Sequence, residues 1–120
     1  MRIFKNSWFS RFADKEGITD SELKEAVNLL EADQAVDLGG GVYKMRLARA
    51  GESKAGGYRV IVFFRSEKRT FYEYAFAKSN RGNINERQLK NFKKSAKVFL
   101  SSIDEQIENK KRKRDLIEIL

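Results

Sequence analysis

The chain has 120 residues, of which 41% are hydrophobic and 35% charged, a composition that favours one soluble globular domain with a modest core. It contains no cysteine and no histidine, which excludes disulfides, thiolate or imidazole metal sites, and catalytic triads that use histidine. The formal net charge of +8 favours a polyanionic partner: nucleic acid first, then an acidic protein or an anionic membrane surface.

The positive charge is distributed unevenly along the chain. Residues 1–42 carry 5 basic and 8 acidic side chains, residues 43–82 carry 10 and 3, and residues 83–120 carry 10 and 6. No apolar run approaches the roughly 20 residues that span a bilayer, and the N-terminus lacks the apolar core of a signal peptide. We therefore expect a cytoplasmic protein with no membrane partner, whose net positive charge is highest in its central third.

Two helices are predicted near the N-terminus. The aromatic residues within 7–15 fall on one helical stripe, with Ser7 as the expected N-cap and Gly17 as the closing residue. The second helix follows at 19–34, where Thr19 and a glutamate three residues later have the spacing of a capping box. Both stripes are typical of helices that pack on a core.

Alternating side chains then predict an antiparallel sheet. The predicted strands are 43–48, 58–65 and 70–78. The LGGG stretch at 38–41 is expected to be the turn into this sheet, because no Gly-Lys-Ser/Thr pattern follows that would indicate a phosphate-binding loop. The second strand is apolar on both faces, which predicts a central strand covered on both sides.

A long helix is predicted after the strands. Asn85 and Gln88 have cap spacing, and apolar residues recur at helical steps from there to Ile107, while the other face carries lysines. The run KKRKR and an apolar end follow in 108–120. We therefore predict an α+β fold with two N-terminal helices, an antiparallel sheet of three to four strands and a long C-terminal helix. Residues 1–107 would form the domain and 108–120 a basic tail.

Cations occupy defined places on this predicted sheet. They are Lys44 and Arg46 on the first strand, Lys54 in the following loop, Arg59 on the second strand, and Lys78 and Arg81 where the third ends. Alternation puts Lys44 and Arg46 on one face, and outward residues of neighbouring antiparallel strands can converge on one surface. The pattern therefore predicts an anion-binding face.

The motifs YKMRLAR, KAGGYR and FAKSNRGNI, in this order after LGGG, resemble the RelE/ParE toxin superfamily of bacterial toxin–antitoxin systems, and its HigB-type branch in particular. The resemblance covers about residues 7–107. It implies an endoribonuclease that cuts messenger RNA in the ribosomal A site, needs no metal or other cofactor, and is neutralised by a cognate antitoxin, expected to contain a helix-turn-helix.

The chemistry of the residues is compatible with that activity. Metal-free RNA cleavage needs a base or an electrostatic field that helps the 2′-hydroxyl attack the adjacent phosphate. It also needs cations that stabilise the charge developing on the non-bridging oxygens, and an acid that protonates the 5′-oxygen leaving group. A protein without histidine can use lysines and arginines for all three, since crowded cations lower the pKa of a lysine.

The resemblance also implies roles for particular residues. Lys44 or Lys78 would transfer protons, while Arg46, Arg59 and Arg81 would stabilise the phosphate. Three further residues are assigned to RNA binding: Arg49, Lys54 and Tyr58, of which the tyrosine is also a candidate for the core. Some RelE toxins use a C-terminal tyrosine, but all four tyrosines here precede residue 75, so a lysine or ribosomal RNA would have to act as the base.

Two other functions are compatible with the same fold. A ParE-like protein would inhibit DNA gyrase, and a non-catalytic module would bind RNA or protein through the basic face without cleaving anything. Mapping of RNA ends and measurement of DNA supercoiling after expression distinguish these three possibilities.

Overall fold

The computed structural model describes residues 1–48, 57–78 and 83–120. Its strands are β1 (Arg2–Asn6), β2 (Val36–Gly39), β3 (Val42–Leu47), β4 (Tyr58–Arg65), β5 (Arg69–Ala77) and β6 (Leu116–Ile119). Its helices are α1 (Ser7–Glu16), α2 (Asp20–Glu31), α3 (Glu86–Leu100) and α4 (Asp104–Arg112). The predicted α+β class is confirmed.

These strands form one mixed sheet with the order β2-β3-β4-β5-β1-β6. The pairs β3–β4 and β4–β5 are antiparallel as predicted, and every residue of β4 except Arg65 is buried. In contrast, β1 lies parallel to β5 and antiparallel to β6. The expected number of three to four antiparallel strands is therefore wrong. The additional strands have only four or five residues each, too few for alternation to identify them.

Helices cover both faces of the sheet. On one side, called here the α1–α2 face, the core includes Phe9, Leu23, Met45, Val60 and Tyr72. On the other, the α3–α4 face, it includes Phe4, Ile61, Phe63, Phe71 and Leu100. Successive residues of β4 therefore alternate between two cores, as expected for a strand in the middle of three layers. Within the described ranges, no helix is long and apolar enough to cross a membrane.

The ends of α1 differ in part from the prediction. Gly17 closes the helix in the left-handed conformation, as predicted, with φ of 72°. Ser7 is the first helical residue rather than the N-cap, so that prediction is wrong. The cap is Asn6, whose side-chain oxygen accepts a hydrogen bond of 2.6 Å from the backbone N–H of Phe9. Asn6 is also the last residue of β1, a strand that the sequence did not reveal.

The predicted long C-terminal helix is in fact two helices. Asn85 and Gln88 form the predicted capping box at the start of α3. The helix ends after Leu100, where the hydroxyl of Ser102 donates a hydrogen bond of 2.7 Å to the carbonyl of Val98. The apolar period continues across this break because Ile107 of α4 packs into the same core as α3.

The last residues of the chain belong to the sheet. β6 pairs with β1, and Leu116 and Ile119 are buried. The carboxylate of Glu118 accepts hydrogen bonds of 2.9 Å from the guanidinium of Arg2 and 2.8 Å from Lys111. The apolar end of the predicted 108–120 tail therefore packs on the chain's own domain.

Candidate nucleic-acid interface

Two arginines lie directly opposite each other at one end of the central strands. Arg46 of β3 and Arg59 of β4 are register partners in the antiparallel pair. Side chains in this relation start about 5 Å apart at Cβ, on the same face of the sheet. That face is the α3–α4 face, because Ile61 and Phe63, which alternate with Arg59, lie in its core. Both side chains line the same hollow at this end of the sheet.

The two arginines differ in their surroundings. Arg59 is only 6% exposed, with Phe76 of β5 as its partner on the other side, whereas Arg46 is exposed. Burial and, secondly, the positive charge of Arg46 lower the pKa of Arg59 from its ordinary value. The pair thus places one fixed, desolvated cation beside one that faces solvent.

Lys44 extends this pair along β3. It lies two residues before Arg46 and therefore on the same face, and its Nζ donates a hydrogen bond of 3.4 Å to the side-chain oxygen of Asn83. The pairing of β2 with β3 begins only at Val36–Lys44, which leaves the edge of β3 beyond Lys44 without a β2 partner. A hollow of about 430 Å³ opens there, lined by all three cations of this group.

Lys78 and Tyr58 lie at the same end of the sheet but in different positions. Lys78 is exposed, follows the last residue of β5, and donates its backbone N–H to the carbonyl of Gly57 at 3.3 Å. Tyr58 is 3% exposed in the core of the α1–α2 face, where its hydroxyl hydrogen-bonds the carboxylate of Glu16. The arrangement brings Lys78 near the arginine pair and favours the core role for Tyr58. Three predicted site residues, Arg49, Lys54 and Arg81, lie outside the described ranges.

A second pair of opposed arginines at the other end of β4 provides a contrast. Arg65 and Arg69 are register partners, but Arg69 forms an ion pair of 2.9 Å with Asp104 and donates to the carbonyl of Ser102. In the described part of the chain, Lys44 and Arg46 form no ion pair with a carboxylate. Arg69 is therefore held by contacts within the domain, whereas the exposed Arg46 can be reached by a ligand from solvent.

A family model described as the RelE toxin of the RelE/RelB toxin–antitoxin system matches residues 1–119, which is nearly the whole chain. The chain belongs to the RelE toxin family. As a RelE toxin, it is one component of a toxin–antitoxin system and has a cognate antitoxin as its partner. The match includes β1 and β6, which lie outside the range on which the resemblance in the sequence rests.

Two residues at the interface of this RelE toxin were not predicted from its sequence. Asn83 contacts Lys44, and Phe76 lies beside Arg59 across β4 and β5. Both occur in the FAKSNRGNI motif, in which the predicted site residues are Lys78 and Arg81. Residue spacing could not identify them, because the contacts depend on strand register and on the direction in which the chain leaves β5. No group of three or more carboxylates that could hold a metal occurs in the described residues.

Proposed function

We propose that this RelE toxin is a metal-independent endoribonuclease that cuts messenger RNA at the ribosomal A site. The observation that carries the proposal is the direct opposition of Arg46 and Arg59 at an open end of the sheet, with Lys44 on the same face. Guanidinium groups bind phosphate oxygens in a planar, bidentate way, and two of them can bind both non-bridging oxygens of one phosphodiester.

The like charges of the pair make an anion a favourable occupant. Directly opposed cations on neighbouring strands destabilise a sheet, and the charge of Arg46 contributes to lowering the pKa of Arg59. A phosphate bound between them reverses the sign of this interaction. The attraction increases in the transition state, because negative charge accumulates on the non-bridging oxygens as the 2′-oxygen attacks.

Proton transfer is assigned to lysine. Lys44 or Lys78 would take the proton of the 2′-hydroxyl or supply one to the 5′-oxygen. Both lysines lie at the same end of the sheet as Arg46 and Arg59. Arg81 is proposed for the leaving-group side, with Arg49 and Lys54 on the RNA backbone, on the resemblance to the family alone. The HigB-type branch, a helix-turn-helix antitoxin and a cytoplasmic location are proposals on the same basis.

Controlled expression in bacterial cells, followed by mapping of RNA 5′ ends, tests this function. We expect new ends within translated codons for the wild type, and their loss in Arg46→Ala and Arg59→Ala. Removing one group that stabilises transition-state charge lowers the rate by about 10²–10³-fold. Arg46 is exposed, so its variant keeps the test valid if the buried Arg59 variant does not fold.

Arg65→Ala is the matched control for both variants. It removes the same side chain from the same strand as Arg59, six residues away, which is about 20 Å along an extended chain. Intact transcripts with inhibited DNA supercoiling would contradict the proposal and favour gyrase inhibition. Equal cleavage of naked and ribosome-bound RNA would contradict the ribosomal part alone.

A further inference from the structure

The cations of α3 lie on one side of the helix. Five exposed residues, Arg87, Lys90, Lys93, Lys94 and Lys97, fall within about 120° of the circumference at 100° per residue. We call them the α3 basic flank. The opposite flank carries the uncharged Gln88, Asn91 and Ser95, and the face between the flanks packs on the sheet. Lysines that served only solubility would be expected over the whole exposed surface of the helix rather than on one flank.

The basic flank is directed toward the edge of the sheet that carries Lys44 and Arg46. The side chain of Lys93 lies over the β2–β3 turn, with its Nζ 3.3 Å from the position that a Cβ on Gly39 would occupy. At the N-terminal end of α3, Asn83 contacts Lys44 two residues before the N-cap. The flank therefore extends along β3, from the Lys44 side at the start of α3 to the β2–β3 turn at the opposite end of β3 from Arg46.

The charge of this flank is not balanced by the nearby acidic residues. Glu86, in the first turn, is the only acidic residue of α3. Three carboxylates of the C-terminal segment, Asp104, Glu108 and Glu118, form ion pairs with arginines or lysines outside α3. In the described ranges no ion pair involves a cation of the α3 basic flank. A surface of this kind attracts an extended polyanion.

We propose that the α3 basic flank is a second RNA-binding surface, which holds the phosphate backbone of RNA that extends beyond the scissile position. From Arg87 to Lys97 the flank is about 15 Å long, enough to contact several successive phosphates. The inference rests on the proposed endoribonuclease function for the identity of its ligand. Because the surface makes backbone contacts, it contributes affinity and orientation but no sequence preference.

Salt dependence of binding measures these contacts directly. Each phosphate contact with single-stranded RNA contributes about −0.7 to the slope of log K against log salt concentration, and each contact with duplex about −0.9. Removing three contacts should therefore reduce the magnitude of the slope by about 2 and weaken binding at 0.1 M salt by up to about a hundredfold.

The test compares two triple variants with equal net charge. One is Lys90→Gln/Lys94→Gln/Lys97→Gln, and the control is Arg11→Gln/Lys15→Gln/Lys24→Gln, whose three exposed residues lie on α1 and α2, across the sheet from α3. Glutamine is chosen because its helix propensity is close to that of lysine. Binding is measured with 2′-O-methyl RNA, which cannot be cleaved through its 2′-oxygen, as a single strand and as a hairpin duplex.

We expect the α3 triple variant to bind RNA more weakly and with a smaller salt slope than the wild type, while its cleavage rate at saturating RNA stays unchanged. The control triple variant should bind like the wild type. A smaller salt slope with the single strand would assign the surface to messenger RNA, and a smaller slope with the duplex would assign it to folded ribosomal RNA. Equal slopes for the two triples would overturn the inference, as would weakened binding to the antitoxin alone. If the wild type cleaves no RNA but the α3 triple still loses slope, the proposed function fails and this surface remains.

Discussion

Glu73→Gln tests the burial of a carboxylate in the middle of the sheet. Glu73 lies where the β4–β5 register shifts, so that Ile61 pairs with Tyr74 and the next residue of β4 with Tyr72. It is 8% exposed, and the side-chain amide of Asn6 donates to its carboxylate and, at 3.0 Å, to its backbone carbonyl. Burial raises the pKa of Glu73 to about 7, against the opposing effects of the Asn6 bond and of Lys110.

The magnitude and its sign follow from linkage. The pKa rises from an ordinary 4.5 to about 7, and each pKa unit corresponds to about 1.4 kcal/mol, so the ionised Glu73 lowers the free energy of unfolding by about 3 kcal/mol. The folded state holds the proton more tightly than the unfolded state. The contribution of Glu73 to stability is therefore fully present below pH 4.5 and is lost as the pH rises through 7.

Urea unfolding at several pH values between 5 and 9 measures this effect, with the fluorescence of Trp8, the single tryptophan, as the signal. We expect Glu73→Gln to be close to the wild type in stability at pH 5 and more stable by up to about 3 kcal/mol at pH 9. Glu105→Gln, which removes a charge from an exposed position, is the control. A difference between Glu73→Gln and the wild type that does not change with pH would show that burial does not raise the pKa of Glu73.

Three other substitutions test the sheet and the site. Glu118→Gln should lower the free energy of unfolding at pH 7 by about 1–2 kcal/mol, because the hydrogen bond from Arg2 holds the pKa of Glu118 at about 2. The difference in free energy between the wild type and this variant should disappear as the pH falls from 4.5 toward 2. Gly41→Ala should cost about 1–3 kcal/mol in thermal unfolding, because φ there is 83° and a Cβ would meet Leu100; a thermal transition equal to that of the wild type would contradict the packing. Arg46→Gln should leave urea stability equal or higher by up to about 1 kcal/mol while RNA binding weakens, since it removes a like-charge pair; a clear loss of stability would show that this side chain supports the fold.

Strong local signals made the central part of the fold predictable. β4 begins and ends at the predicted residues, because its apolar run covers two faces and is bounded by glycine and by a charged turn. The capping box at Asn85 and the closing Gly17 were predicted for the same reason, since each depends on residues within one helical turn.

The short strands could not be predicted because their pairing is not local. β1 and β6 are separated by more than 100 residues in the chain, and the contacts of Arg2 with Glu118 appear only when both strands lie side by side. The end of α3 was missed for a different reason. Apolar residues on both sides of Ser102 belong to the same core, so the period continued although the helix did not.

The candidate site was predictable in residue type and in face, but not in register. Alternation along β3 put Lys44 and Arg46 on one side, and the structure agrees. Whether Arg59 would lie opposite Arg46 depends on the register of β3 with β4, which the sequence between these strands does not determine. The sequence places the α3 cations on one side of the helix but does not show which way that side faces. The packing of Lys93 on the β2–β3 turn shows this direction.

The most direct test of the account is the single-turnover rate at which purified protein cuts messenger RNA on programmed ribosomes. We predict that the wild type and Arg65→Ala cut at rates within about twofold, while Arg46→Ala and Arg59→Ala are slower by about 10²–10³-fold. Folded Arg59→Ala protein that cuts as fast as Arg65→Ala would contradict the proposal that the opposed arginines stabilise the scissile phosphate.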